Sequence, residues 1–286
     1  MRVLSLFDWM ACGYEALVRA WIPVDVYYAS EIDKYAIQIA LKNHPNIIEI
    51  WDVTQVKWKD YQDIDLLIWG SPCQWFSKAW KMLNFDDPRS KLFFEYVRIL
   101  KEVKPKYFLL ENVKMKKEWV DVISRELWVE PIEINSKLVS AQNRERLYRT
   151  NIPNVSQPVD REIKLIDIIE KQQSELITYV NGEIRIKQAT KQWYIVAEVG
   201  DGVDLSFPTS NTRRGRVIKW KSNTLTTWWE LYVCDTVIRK LTPIERERLQ
   251  TLKDWFTAGV SDSQRYKLLG NWWTVDVVAH IFSFMK

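Results

Sequence analysis

The first half of this chain alternates short apolar runs with amphipathic segments, and few architectures accommodate that rhythm. Val3 to Phe7 reads as a strand, Tyr14 to Ala20 as a helix and Val24 to Ala29 as a strand; Lys34 to Lys42 is a helix with Ala36, Ile37 and Ala40 on one face. Ile47 to Ile50, Leu66 to Ile68 and Tyr107 to Leu110 continue the strands, with Leu92 to Val103 and Trp119 to Leu127 as further helices. A helix between successive strands supplies the crossover that parallel strands require. The order therefore predicts an α/β fold on a parallel, doubly wound sheet.

The alternation stops at Asn151-Ile152-Pro153-Asn154-Val155-Ser156-Gln157-Pro158, a Pro/Asn/Ser stretch that marks a domain boundary. Residues 1–155 form the expected first domain, 156–238 a smaller, mostly β domain, and 239–286 a segment that returns to the first; a length of 286 residues suits two lobes. In the second lobe 160–173 reads as a helix, and 176–237 as short strands broken by turns such as Asn181-Gly182 and Arg213-Arg214-Gly215-Arg216. Helical pattern returns from Thr242 to Leu252. The apolar tail Trp273 to Met285 has helical period and is expected to pack on the first domain.

Open parallel sheets bind ligands beyond the carboxyl ends of their strands, and several of these ends carry chemistry. Ile64-Asp65-Leu66-Leu67-Ile68 runs into Trp69-Gly70-Ser71-Pro72-Cys73-Gln74-Trp75-Phe76-Ser77, which presents a thiol on a proline-restricted loop. A structural cysteine is the ordinary alternative for a thiol considered alone. Phe7-Asp8-Trp9-Met10-Ala11-Cys12-Gly13 joins the first strand to the first helix, where nucleotide-like ligands meet a helix N-terminus. Glu31 closes the second strand, placed either to accept from ribose hydroxyls or to stabilise the next helix N-terminus. Glu111, in Leu109-Leu110-Glu111-Asn112-Val113, needs a partner or a function. Gln142-Asn143-Arg144-Glu145-Arg146 reads as a solvated charged turn, or as one that aims an arginine inward.

Composition narrows the classes. A net charge of +4 and a pI near 8.8, with both signs interspersed, are compatible with a nucleic-acid partner without demanding one. Cys12, Cys73 and Cys234 are odd in number and lack Cys-x-x-Cys spacing, which argues against a disulfide framework or a zinc site and suits a reduced cytosolic compartment. No apolar run approaches membrane-spanning length and the opening segment is charged too soon for a signal peptide, so a soluble protein is expected. One feature is abnormal: 16 Trp stand against 8 Gly, where glycine usually makes up roughly 7% of residues. Trp21 and Trp128 follow apparent helix ends, and Trp9, Trp69, Trp75 and Trp255 occupy loops or turns, all places where glycine serves.

Taken in order, these elements resemble the DNA (cytosine-5)-methyltransferase family from Val3 to the C-terminus. Phe7 to Gly13 is similar to the family's cofactor loop, in the wording of the de novo subgroup. Ser71-Pro72-Cys73-Gln74 matches its nucleophile motif, Glu111-Asn112-Val113 its Glu-Asn-Val motif and Gln142 to Arg146 its Gln-x-Arg-x-Arg motif. Arg239 to Glu245 with Arg248-Leu249-Gln250 resembles the motif closing the recognition domain, and Gly270-Asn271 opens the last one. The resemblance implies a Rossmann-like, S-adenosylmethionine-dependent methyltransferase domain in 1–155, a mostly β target-recognition domain in 156–238, and 239–286 returning to the catalytic domain. It implies that Cys73, flanked by Pro72 and Gln74, adds to carbon 6 of a flipped-out cytosine in double-stranded DNA, while carbon 5 takes the methyl group. Glu111 would engage N3 and the amino group, Arg146 the base carbonyl, and Arg144 the surrounding site or a phosphate. For the cofactor, Phe7 would contact the adenine, Glu31 the ribose and Asp52 the adenine amino group, with Ile32 and Val53 as apolar walls. Asp8, Trp9, Met10, Gly13 and Ser71 complete that set, and Asn271 supports the pocket. Arg213, Arg214, Arg216 and Thr224 are the implied DNA contacts, a solvated basic turn being an equal alternative for the arginines.

The implied setting is the cytoplasm, or a host's cytoplasm for a viral enzyme, with a cognate restriction endonuclease as partner or as a solitary methyltransferase. Two alternatives stand beside this reading: tRNA methylation, and a catalytically inactive DNA-binding or regulatory relative. Ser71, where the tRNA branch tends to carry a second proline, and the sizeable variable lobe favour DNA. Retention of Cys73, Glu111 and Arg146 favours activity. The chain departs from the family in one direction only, with Trp9, Trp51, Trp69, Trp75 and Trp272 where the family has glycine. An indole at 9 would occupy the space of the methionine moiety, so weakened cofactor binding is expected of the chain as written. A uniform departure fits UGA codons read as Trp where the source reads Gly, with Trp273 genuine.

Overall fold

A computed structural model describes residues 1–55, 59, 61, 63–70, 88–170, 184–187, 194–204, 216–225, 231–234 and 238–285. The chain forms two compact units, one of residues 1–134, 145–157 and 275–286 and the other of 135–144 and 158–274. The first unit thus takes only 275–286 from the C-terminal segment, and residues 239–274 lie in the second.

The first unit is built on a seven-stranded sheet of order β3-β2-β1-β4-β5-β7-β6. Its strands are β1 (Arg2–Leu6), β2 (Val26–Ser30), β3 (Ile48–Glu49), β4 (Leu66–Gly70), β5 (Tyr107–Val113), β6 (Ile132–Asn135) and β7 (Glu145–Thr150). β1 to β5 pair in parallel, with β1 between β2 and β4. Chain order therefore reverses direction across the sheet at the β1/β4 boundary, where the crevice of a doubly wound fold opens. The helices α1 (Cys12–Arg19), α2 (Lys34–Asn43), α3 (Pro88–Val103) and α4 (Lys117–Leu127) supply the crossovers. Asp33 starts α2 by accepting from the Tyr35 and Ala36 N–H groups at 2.9 and 3.3 Å. One core layer packs Leu4, Leu6, Leu67, Trp69 and Leu110 of the sheet against Phe93, Tyr96, Val97, Ile123 and Leu127 of α3 and α4.

β7 corrects the expectation of a purely parallel sheet. It runs antiparallel to β5, pairing Glu111 with Tyr148 and Val113 with Arg146, so Arg146 lies in a strand and not in a charged turn. β5 also continues to Val113, which places Glu111 inside the strand. The apolar tail is helical as expected: α8 (Val275–Phe282) packs on α1, and Arg19 bridges to Asp276 at 2.6 Å.

The second unit contains an antiparallel sheet of order β11-β10-β12-β13, from β10 (Gly202–Asp204), β11 (Arg216–Ile218), β12 (Leu231–Cys234) and β13 (Ile238–Lys240), and the hairpin β8 (Ile184–Lys187) with β9 (Tyr194–Ala197). Ile186, Ala197, Val203 and Cys234 form its small core. The helix expected over 160–173 is, among the described residues, only α5 (Leu165–Ile168). Asp160 accepts from the Glu162 N–H and Leu165 donates to the Trp220 carbonyl, so the chain before α5 spends its hydrogen bonds outside a helix. The helices α6 (Pro243–Leu249) and α7 (Asp262–Asn271) complete the unit. Thr242 and Glu245 form a capping box with Pro243 in the first turn of α6, the start that the Thr-Pro-x-Glu spacing dictates.

Candidate active site

The carboxyl edge of β1, β2, β3 and β5 collects four acidic side chains. Asp8 follows β1, Glu31 follows β2, Glu49 ends β3 and Glu111 lies near the end of β5. The loop from β1 to α1 is bent by Phe7, Trp9 and Ala11, with φ of 56°, 52° and 58°. Within it the Trp9 N–H donates to Glu31 Oε2 at 2.9 Å, and Glu31 Oε1 accepts from the Ile32 and Asp33 N–H groups, both at 2.8 Å. Among the described residues Glu31 is thus held by backbone donors alone, which leaves lone pairs for a hydroxylated ligand. Burial pushes its carboxyl pKa up.

Asp8 is buried and accepts from the Tyr27 hydroxyl at 2.5 Å; burial raises its pKa to about 7 from 3.8, with Glu31 adding a smaller push. Both Glu49 carboxylate oxygens are buried without a hydrogen-bond partner among the described residues. Burial, then Asp8 and Glu31, raise its pKa to about 8. Among the described residues no cation pairs with Asp8, Glu31 or Glu49, so this edge favours a positively charged ligand or bound protons.

Glu111 differs. Arg146 Nε lies 3.0 Å from its Oε1, and both side chains are almost wholly buried. Arg146 also donates to the Glu145 carbonyl at 2.8 Å. Beside it Arg149 donates to Asn112 Oδ1 at 3.3 Å and to the Val120 carbonyl at 3.2 Å, fixing the strand end that carries Glu111. Burial lowers the Arg149 pKa to about 10. Gly70, the last residue of β4, sits opposite Glu111 in the parallel register.

The remaining candidates divide. Phe7 lies with its ring centroid 5.8 Å from that of Trp69, Met10 and Val53 are buried, and Ile32 is 73% exposed. A Cβ on Gly13 would come within 2.7 Å of the Tyr27 hydroxyl oxygen, so α1 lies tightly on the sheet there. Asp52 Oδ1 is occupied by the Thr54 N–H and hydroxyl, both at 2.8 Å. In the second unit Arg144 is buried and donates to the Leu225 carbonyl at 3.2 Å, Thr224 donates to the Asn143 carbonyl at 3.0 Å, Arg216 is exposed on β11, and Asn271 ends α7. Ser71, Pro72, Cys73, Gln74, Trp75, Arg213 and Arg214 lie outside the described residues. Sequence reasoning passed over Tyr27, Glu49 and Arg149. For Glu49 a signal existed, a lone carboxylate in the apolar run Ile47-Ile48-Glu49-Ile50; for the others the partner is remote in sequence.

Comparison with known proteins adds to this geometry. The sequence pattern of the C-5 cytosine-specific DNA methylase family matches residues 1–185 and 151–286. The type II methyltransferase M.NlaX of Neisseria lactamica is 34% identical over 305 residues, covering 100% of this chain and 96% of its own. M.SsoII of Shigella sonnei, also a type II methyltransferase, is 32% identical over 279 residues, covering 89% and 72%. Among solved structures, the Entamoeba histolytica methyltransferase EhMeth superposes with a TM-score of 0.68 at 17% identity, covering 99% of this chain and 97% of that one. A DNA modification methyltransferase from an Escherichia coli prophage gives 0.67 at 21%, covering 99% and 98%. At these identities the two structures establish the fold, an α/β methyltransferase fold with a mixed central sheet.

Proposed function

The chain belongs to the C-5 cytosine-specific DNA methylase family and is a DNA (cytosine-5)-methyltransferase, and on that premise we propose that Cys73 is its nucleophile, Glu111 and Arg146 its base-binding pair, and the β1–β3 edge its site for S-adenosylmethionine. The observation that carries this reading is the buried Glu111–Arg146 pair opposite Gly70, because three residues of chain tether Cys73 to that strand end, a reach of about 10 Å.

The chemistry follows from these groups. The Cys73 thiolate adds to carbon 6 of an extruded cytosine, forming a carbon–sulfur bond and pushing negative charge toward N3 and carbon 5. Glu111, as the carboxylic acid, would give its proton to N3 while accepting from the exocyclic amino group, and Arg146 would donate to the carbonyl oxygen, so that both meet the negative charge that the addition creates. Carbon 5 takes a methyl group, and loss of its proton with expulsion of the thiolate restores the aromatic ring and frees the enzyme. S-adenosylmethionine, when bound, supplies that methyl on a positively charged sulfur. The chain's residues suit such a cation: Asp8 and Glu49 have no positive partner among the described residues, and Glu31 keeps lone pairs for ribose hydroxyls. Phe7, Met10, Ile32, Asp52 and Val53 would line the adenosine, with Trp9, Gly13 and Ser71 around it. Cys73 works between Pro72 and Gln74. Arg144, buried on the Leu225 carbonyl, acts by bracing the segment that carries Thr224. Arg213, Arg214 and Arg216 would meet DNA. We extend the proposal to a cognate restriction endonuclease, whose cleavage the methylated site resists. No described helix is long and apolar enough to cross a membrane.

The test is transfer of labelled methyl from S-adenosylmethionine to unmethylated duplex DNA, with tRNA in parallel, by a chain carrying glycine at 9, 51, 69, 75 and 272. Transfer to DNA that Cys73→Ala reduces at least about 10⁴-fold is expected. Transfer that survives Cys73→Ala, or that falls on tRNA alone, overturns the proposal.

A further inference from the structure

Ten tryptophans lie among the described residues, and six of them, Trp9, Trp21, Trp51, Trp128, Trp220 and Trp255, have φ between 52° and 66°. A left-handed backbone occurs in only a few per cent of non-glycine residues, and a bulky side chain there is an outlier. Ten ordinary tryptophans would supply fewer than one. Burial does not offset the strain, since Trp21 and Trp128 are 92% and 88% exposed and Trp51 and Trp255 each 61%.

The local geometry at each helix end is the one that glycine serves. The Trp21 N–H bonds to the Val18 carbonyl at 3.1 Å and the Ile22 N–H reaches back to Leu17 at 3.0 Å, a Schellman ending of α1 with Trp21 in the glycine place. Trp128 closes α4 with φ 59° and ψ 25°. Two of the chain's own glycines take the same left-handed side of the map, Gly200 with φ 91° and Gly259 with φ 111°. A second mark picks out Trp69 and Trp272. Both are buried to 1% exposure, and neither indole Nε1 has a hydrogen-bond partner among the described residues, although buried indoles ordinarily find one. Trp119, in α4, and Trp273 bear neither mark.

We propose that positions 9, 21, 51, 69, 128, 220, 255 and 272 are glycine in the protein its own cell makes, encoded by UGA that this source reads as glycine, while UGG encodes Trp119 and Trp273. The inference stands on backbone conformation and unpartnered indoles and does not depend on the catalytic roles above. Its consequence for the site is that glycine at 9 and 51 removes two indoles from the loops after β1 and β3.

The gene, peptides from source cells and two recombinant chains test it. UGA is expected at the eight positions and UGG at 119 and 273, and the tryptic peptide Val3–Arg19 should have the mass of a glycine at position 9. A chain with glycine at the six left-handed positions should melt roughly 10 °C or more above the chain as written, whereas Trp119→Gly with Trp273→Gly should lower the midpoint. UGG at the six left-handed positions, a tryptophan-mass peptide, or a six-glycine chain that melts no higher would each overturn the proposal. None of these readouts involves methyl transfer.

Discussion

Glu245 and Glu247 of the second unit and Asp8 and Glu49 of the first are all carboxylates withdrawn from water, but their surroundings differ. Glu245 receives both Arg239 Nη atoms at 2.9 and 2.7 Å, with the Thr242 and Glu170 N–H groups at 2.8 and 2.7 Å. Glu247 receives Arg265 Nη2 at 3.0 Å, the Trp255 and Thr257 N–H groups at 2.8 Å each, and the Thr257 hydroxyl. Asp8 is met by neutral groups alone among the described residues, the Tyr27 and Ser5 hydroxyls and the Ala11 N–H, and the buried oxygens of Glu49 find no donor among them. A burial cost met within the chain marks a structural joint, whereas one left open marks a place where something from outside is meant to arrive. Glu111 stands between the two cases, paired with Arg146 yet two residues from the end of β5, where the proposed chemistry calls for a substrate base.

Removing a partner from a closed network should have the largest effect on stability. Arg265→Leu leaves Glu247 buried without its cation and is expected to cost about 3–5 kcal/mol in denaturant unfolding. A loss below about 1 kcal/mol would mean that the backbone donors alone satisfy Glu247, and the contrast would fail. Glu111→Gln is expected to reduce methyl transfer about 10²–10³-fold while moving the melting midpoint by only a few degrees. An equal loss of stability would make that pair a structural joint instead.

The open carboxylates predict a pH dependence with a definite sign. With a folded pKa of about 7 against 3.8, Asp8 binds its proton more tightly folded than unfolded; its contribution is complete below about pH 4 and is lost as pH rises through 7. Glu49, at about 8, acts in the same direction. Among the described residues, Tyr27, Glu31, Asp33 and Cys12 are the other titratable groups coupled to this set. The stability of Asp8→Asn relative to the parent should therefore increase from pH 5.5 to 8.5, and a flat difference would remove Asp8 from the argument. The smallest effect concerns a half-buried cap: Thr242→Ala should cost about 1 kcal/mol with no change in methyl transfer.

Much of the site was legible as position and little of it as pairing. Glu31 and the Phe7–Gly13 loop were readable because a strand-to-helix junction is local and its ligand face is fixed by topology. The tryptophans at 21, 128 and 255 were recognisable as glycine places for the same reason, since helix ends and turns are set by neighbouring residues. Trp220 escaped because the turn after β11 has no comparable local pattern.

The sequence by itself determined the α/β order, the acidic strand ends, the capping box at Thr242 and the excess of indoles over glycine, all of which depend on interactions within a few residues. Only the tertiary structure decided that β7 returns antiparallel to β5 and brings Arg146 to Glu111 and Arg149 to Asn112, and that Tyr27 reaches Asp8. Those contacts join residues 19 to 37 positions apart. The free energy that selects them comes from strand pairing and shared burial, which local periodicity does not record.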